Sequence, residues 1–537
     1  MNYICANMEE KYGKQTKMIT KVPKVVSLFC FLLILSSSSH GTIIPETFVN
    51  CISNKFESDE SIFSILHYPH NSSYDSVLKS TIHNLRFLKS PKPLAIITPL
   101  LHSHVQSAVF CTKQAGLQIR VRSGGADPED LQNLRSISVN IEDKTAWVES
   151  GATIGELYYE IADKSPDLAF PAGAYPTVGV GGLFSGGGFG PLLRKYGLAA
   201  DNIIDAKIVD ARGSLLDRQS MGEDLFWAIR GGGGASFGAI VSWKIKLVVV
   251  PPMVSVFHLT KSLDQENLAL LQKWQYIQHK LPEDLFLDIG VMAIPSGENK
   301  MIMASFTCLF LGKKEPLLNV MEENFPELGL TKEDCLEMSW IDAVMVFAGY
   351  QNGESRDALK NRKGPFPKGC ISSKSDFIQE PLPMDALEKL WKFCLEEENS
   401  PMILMVPHGG KMSKISESEI PFPYRGEVIY SIMYQVMWNC EDDDFSQKYI
   451  DMIRRLYEMM SPYAMKQLRG AFLNVRDLDL GRNNDKMGTT YWKAKEWGLK
   501  YFNNSFKKLA IIKGQVDPEN FFYYEQSIPP LHLQDEL

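Results

Sequence analysis

Apolar and polar positions along this chain follow two periods, and each period marks a different kind of element. LAIITPL at 94–100 is continuously apolar, as in a strand buried on both faces, and the segment after it to Gly116 has helical spacing. QIRVR at 118–122 is a strand that runs into glycines. SISVNIE at 136–142 and TAWVESGAT at 145–153 alternate with period two, which predicts antiparallel strands. ATIGELYYEIADK at 152–164 has the spacing of an amphipathic helix. A hairpin is expected over 203–217 and a strand pair over 237–251, ending at Pro251 and Pro252. Beyond the prolines, helical spacing returns at 264–280, 384–398 and 443–460, and strand alternation at 285–293, 300–311, 402–407 and 427–438. Residues 498–537 read as a helix followed by an extended, proline-limited tail. The sum is an α+β protein whose second half is an antiparallel sheet covered by helices.

Glycine is distributed unevenly over this pattern. The stretch 171–197 reads PAGAYPTVGVGGLFSGGGFGPLLRKYG, flanked by RSGG at 122–125 and RGGGG at 230–234. Lacking a side chain, glycine lets backbone approach a ligand and reach φ > 0. The clusters are either tight turns or the cradle of a large cofactor, and three of them together favour the cofactor. No cluster gives G-x-G-x-x-G between a strand and a helix, nor G-x-x-x-x-G-K-[ST], so neither a Rossmann fingerprint nor a P-loop is present.

With 537 residues and a net charge of −8, the chain has room for two or three domains and shows no basic stripe for nucleic acid. Lys21 and Lys24 precede an apolar run at 25–35 and then SSSSHG, the pattern of a secretory signal. Residues 1–41 are therefore expected to be a leader outside the fold, with 1–17 an upstream extension. The run is too short to span a bilayer. Of nine cysteines, seven follow the leader, so at least one is expected to be unpaired. Cys51 and Cys111 are plausible disulfide partners in an oxidising compartment. Asn71 and Asn503 open N-x-[ST] sequons. His102 and His104 have no Cys or carboxylate partners in sequence, so no metal site is expected. Taken together, these features predict a glycoprotein of the secretory pathway, in the ER lumen, ER-derived vesicles or vacuole.

The motifs NCISNKF, QIRVRSGG, FPAG-x-x-PTVGVGG-x-FSGGG-x-G, RGGGGASFG, PFPYRG and DPENFF-x-x-EQSIPP, spread over 46–537, resemble the berberine bridge enzyme-like family of plant flavoproteins, which share the vanillyl-alcohol-oxidase flavin fold. The resemblance implies FAD held by a split flavin domain at 42–252 and 476–537, around a substrate domain at 253–475. It implies flavin contacts from Arg122, Ser123, Gly124, Gly125, Ala126, Tyr175, Thr177, Val178, Gly179, Gly181, Gly182, Leu183, Phe189, Ile240 and Tyr501. It also implies O2 as the final oxidant, with Val178 at the family's oxygen-gating position.

This sequence departs from the family at the positions that carry chemistry. Most members link FAD covalently through a His and a Cys; here Ala126 and Tyr175 stand in those places, which implies non-covalent FAD. The family's Tyr two residues after the linking His is Pro128, its His in the glycine run is Leu183, and its active-site Glu or Gln is Met433. In YSIMYQVMW, Ser431, Met433 and Gln435 share one strand face and Tyr430, Ile432 and Tyr434 the other. Alcohol oxidation needs a base to take the O–H proton. With Tyr501 the one family tyrosine left, the expected pocket is apolar and base-free. That favours oxidation of a tertiary amine to an iminium, whose own lone pair expels the hydride. A closer likeness to the family's alkaloid oxidases implies a caged indole alkaloid substrate. The alternatives are an alcohol or carbohydrate oxidase and a catalytically silent flavin- or alkaloid-binding protein.

Overall fold

The computed structural model describes residues 3–7, 44–55, 62–69, 71–80, 82, 84–86, 92–123, 133–263, 267–351, 353–366, 368–440, 443–465, 468–483 and 489–532. Two antiparallel sheets dominate. A five-stranded sheet runs in the order Ile137–Asn140, Thr145–Glu149, Ala239–Lys246, Ile203–Val209, Leu215–Leu216. A seven-stranded sheet runs in the order Leu336–Ser339, Met253–Ser262, Asn299–Phe310, Leu285–Ser296, Met402–Pro407, Tyr430–Trp438, Cys370–Ile378. The α+β expectation holds, as do its strands at 137–140, 145–149, 285–296, 299–310 and 402–407. Several elements were hidden from the pattern, among them the strand Cys370–Ile378 and the helices Lys314–Asn324 and Trp340–Phe347. The helix Arg218–Ile229 contains Gly222 at φ +78°, which breaks its spacing. The strand Met253–Ser262 begins at the double proline that reads as an ending.

Alternation decides which way each sheet faces. On the seven-stranded sheet Tyr430, Ile432 and Tyr434 join Ile289, Met405 and Phe306 under the helices Leu268–Ile277, Met384–Glu396 and Asp443–Met459. Trp274 packs on Tyr430 at 5.3 Å and donates its indole N–H to Leu287 O at 2.9 Å. The opposite face joins a second core, in which Phe377 and Val406 meet Phe422 and Phe472.

Buried ion pairs fasten these layers. Arg425, from PFPYRG, chelates Asp201 at 2.7 and 2.9 Å. Arg194, 1% exposed, donates to the carbonyls of Gln278, Leu281 and His408. Lys513 Nζ reaches Ser236 O at 2.6 Å and Phe522 O at 3.0 Å and pairs with Asp517 at 2.5 Å. It thereby ties the C-terminal tail to the glycine loop after Gly234.

The expected Cys51–Cys111 disulfide is present, and a second one, Cys370–Cys440, joins the seven-stranded sheet to the loop after it. Cys308, Cys335 and Cys394 are free and buried. One short segment within the expected leader is described. Tyr3–Asn7 is a strand, antiparallel to both Ala95–Ile97 and Gln118–Arg122. It fills the slot between those strands and pairs backbone groups that would otherwise face an open edge. Residues 8–43, with the apolar run of the leader, lie outside the described residues. No described helix is long and apolar enough to cross a membrane.

Candidate functional site

The face of the seven-stranded sheet that carries Met433 looks toward the glycine-rich run. Gly290, Leu404, Met433 and Ser375 form one rung across four strands. Ser375 Oγ accepts the backbone N–H of Phe472 at 2.9 Å. Phe472 stacks on Phe189 of the glycine run, centroids 4.5 Å apart and planes 21° apart. Asn474, two residues on, donates to Gly182 O at 3.0 Å and accepts from Gly188 N–H at 3.0 Å. The segment around 472–474 therefore bridges the sheet to the glycines. Leu183 lies against Gly188 in the same cluster.

Many of the glycines also allow close packing within the protein. A Cβ at Gly186 would strike the Asn474 amide, at Gly190 the Ala172 carbonyl, and at Gly234 the Ile240 side chain. Gly181 leaves room for Ser123, whose Oγ would lie 2.6 Å from an added Cβ. Gly182 is different. It is exposed, and an added Cβ would meet only Ser123 Oγ at 3.9 Å. Near this run, the Ser150 hydroxyl is buried with no hydrogen-bond partner among the described residues, as is that of Ser242. At a register shift between Ile240 and Ser242, Ser150 N–H donates to Val241 O at 2.9 Å. Open backbone, orphaned hydroxyls and, at the other end of the run, exposed Tyr175 and Val178 suit a dinucleotide with an aromatic ring system. These residues fit FAD.

Other expected contacts fall as follows. Arg122 ends the strand Gln118–Arg122, and Thr177 and Gly179 are half-buried. Gly124, Gly125, Ala126 and Pro128 lie outside the described residues. Tyr175 is 51% exposed and meets Phe366 edge-on, centroids 5.8 Å apart. Asn71 donates to Leu66 O at 3.2 Å, and Asn503 sits at φ +45° at a helix end.

Tyr501 is 2% exposed, and its hydroxyl accepts Asp477 N–H at 2.9 Å and reaches Gln526 Oε1 at 3.4 Å. Burial raises its phenol above the usual range. Its hydroxyl holds the chain at Asp477. His408 is buried against Phe377, and burial among Arg425 and Arg194 pushes its imidazole down to about 3. It stays neutral at physiological pH.

The expectation of a base-free face fails at one residue, Asp288. It lies two positions before Gly290, so its side chain shares the face of Met433. Burial pushes its carboxyl up to about 7, against the opposing effect of a hydrogen bond from Thr307. Its charge also contributes, after burial, to raising the Tyr175 phenol. The available signal was an aspartate in the middle of an otherwise apolar strand, LFLDIGVMA. Arg476 was missed too. It is exposed, and its guanidinium lies 4.8 Å over the Tyr524 ring.

Comparison with known proteins bears on this geometry. A family model for an FAD binding domain matches residues 93–218, and one for berberine and berberine-like proteins matches 471–529. The chain is 71% identical over 533 residues to O-acetylstemmadenine oxidase of Catharanthus roseus, covering 97% of this chain and 100% of that protein. It is 47% identical over 536 residues to tetrahydroberberine oxidase of Berberis wilsoniae, covering 96% and 99%. The solved structure of berberine bridge enzyme-like 28 from Arabidopsis thaliana superposes with a TM-score of 0.83 at 46% identity, over 91% of this chain and 100% of that one.

Proposed function

Since the chain belongs to the berberine bridge enzyme-like family of FAD-linked oxidoreductases, we propose that it oxidises a tertiary amine of a monoterpene indole alkaloid to an iminium. The substrate is of the O-acetylstemmadenine type, the product of the precondylocarpine acetate type, and O2 is reduced to H2O2. The observation that carries this reading is the rung Gly290–Leu404–Met433–Ser375, where no side chain can take a substrate proton.

FAD, when bound, supplies the hydride acceptor and the route to O2. The chain's own residues do the rest. Ser375 and Asn474 fix the segment that carries Phe472, and Phe472 and Phe189 make a flat apolar floor. Leu404 and Met433 exclude water from the reacting carbon. The amine lone pair forms the C=N bond as the C–H pair departs, so no general base is needed at Met433. Backbone at Ser123, Gly179, Gly181, Gly182 and Ile240 holds the cofactor without a covalent bond, since Ala126 and Tyr175 replace the linking His and Cys. Val178, exposed on the same run, leaves O2 a path to the flavin. Two disulfides accord with folding in the secretory pathway.

One observation favours a second reading. Asp288 is a proton acceptor on the same face, and oxidation of an alcohol would use it as the base. Anaerobic mixing decides between them. O-acetylstemmadenine is expected to bleach the flavin, while monolignols and oligosaccharides leave it oxidised; the reverse pattern refutes the amine reading. Acid precipitation is expected to leave all yellow colour in the supernatant, and colour in the pellet would show a covalent link.

A further inference from the structure

Among the described residues, five carboxylates whose side chains are largely withdrawn from water each have a cation. Asp376 has Arg469 at 2.7 Å, Asp477 has Lys374 at 2.6 Å, and Asp201 has Arg425 at 2.7 Å. Asp517 has Lys513 at 2.5 Å and Glu156 has Arg362 at 2.8 Å. Asp288 has only the Thr307 hydroxyl, which also lies 3.1 Å from His258 Nδ1. Among the described residues no Lys, Arg or His forms an ion pair with it. A carboxylate partly withdrawn from water without a cation is costly to ionise. Asp288 is half-buried on the sheet face that carries Leu404 and Met433, without such a partner.

The surroundings narrow what the missing cation is. Leu404 and Met433 form the adjacent rung, and Val406 the position beside Asp288. Tyr175, close enough to feel the Asp288 charge, is half-exposed and meets Phe366, itself 49% exposed. Tyr175 feels the carboxylate, and Phe366 extends that aromatic surface at 60° to it, which makes a site for an organic cation with apolar substituents. A metal ion would need more oxygen ligands than this.

We propose that Asp288 is the counter-ion of the substrate nitrogen, with Tyr175 and Phe366 as aromatic walls. This rests on the amine-oxidase reading for its role in turnover. As the C–H bond breaks with its electron pair, the nitrogen lone pair becomes the second bond of C=N. The positive charge that remains on nitrogen then faces the carboxylate, which stabilises it as it develops.

The test uses the FAD-loaded full-length protein, Asp288→Asn and Asp288→Ser. Two isosteric probes, trimethylphenylammonium and tert-butylbenzene, are titrated against each, with the flavin spectrum and calorimetry as readouts. Both variants are expected to bind the ammonium ~10–100-fold more weakly than the wild type, while the neutral hydrocarbon binds all three alike. Flavin reduction by O-acetylstemmadenine is expected to slow in both. Equal ammonium affinity in the wild type and a flavin-loaded variant overturns the proposal. So does a parallel loss of both probes. If the wild type oxidises no amine but its ammonium affinity still depends on Asp288, the amine-oxidase reading fails and the cation site stands.

Discussion

At the scale of single residues, Asp288 joins function to stability. Its carboxyl is raised to about 7 in the fold, so the ionised form is disfavoured relative to the unfolded chain. Stability is therefore lost as pH rises from the ordinary carboxylate range through about 7. Asp288→Asn removes that penalty. The variant apoprotein is expected to gain ~1–2 kcal/mol at pH 8 and almost nothing at pH 4, discounted for solvent access to the group. Urea unfolding at the two values checks it, and an equal gain at both would point to packing instead. A residue whose replacement stabilises the fold while weakening ligand binding is what a site built for a cation predicts. Tyr501 shows the opposite case. Its place in the KYF motif suggested chemistry, and its hydroxyl proves to be fastened to Asp477 and Gln526.

At the scale of elements, the glycine run mixes two demands that composition alone cannot separate. Gly186 abuts Asn474, whereas Gly182 is exposed. Gly186→Ala is expected to destabilise the apoprotein by ~1–3 kcal/mol through overpacking. Gly182→Ala should leave apoprotein unfolding unchanged and raise the FAD dissociation constant. Thermal melts without FAD, followed by flavin titration, separate the two; matching effects would show that the distinction is wrong. The same limit applies to the strand Tyr430–Trp438. Alternation placed Ser431, Met433 and Gln435 on one face correctly. Only the register with Met402–Pro407 and Leu285–Ser296 brings Asp288 onto that face.

At the scale of the whole molecule, buried cations hold the layers that frame the cleft. Lys513 gathers Asp517, Ser236 O and Phe522 O, joining the tail to the glycine loop. Lys513→Met strands the Asp517 charge in the core and is expected to cost ~3–5 kcal/mol. FAD should be released before global unfolding, read by flavin fluorescence against far-ultraviolet circular dichroism during a melt. Coincident transitions would show that the tail is not a separate clasp. The Cys370–Cys440 disulfide belongs to this scale too. Seven cysteines beyond the leader implied an unpaired one but not that three would be free, because pairing depends on which loops the sheet brings together.

Local patterns in the sequence were enough for what depends on neighbours along the chain. Period-two alternation marked several of the strands and the faces of Tyr430–Trp438, helical spacing marked several of the helices, and the motifs pointed to the family and its FAD. Sequence also showed which reactive side chains had been replaced, at Ala126, Tyr175 and Met433. What depends on distant segments meeting was left to the tertiary structure. Which glycines touch protein, where Tyr3–Asn7 inserts, and that one carboxylate lies on the apolar face without a cation all follow from strand register and packing between segments far apart in the chain. Burial and charge pairing are properties of that three-dimensional neighbourhood, so no reading along the chain could supply them.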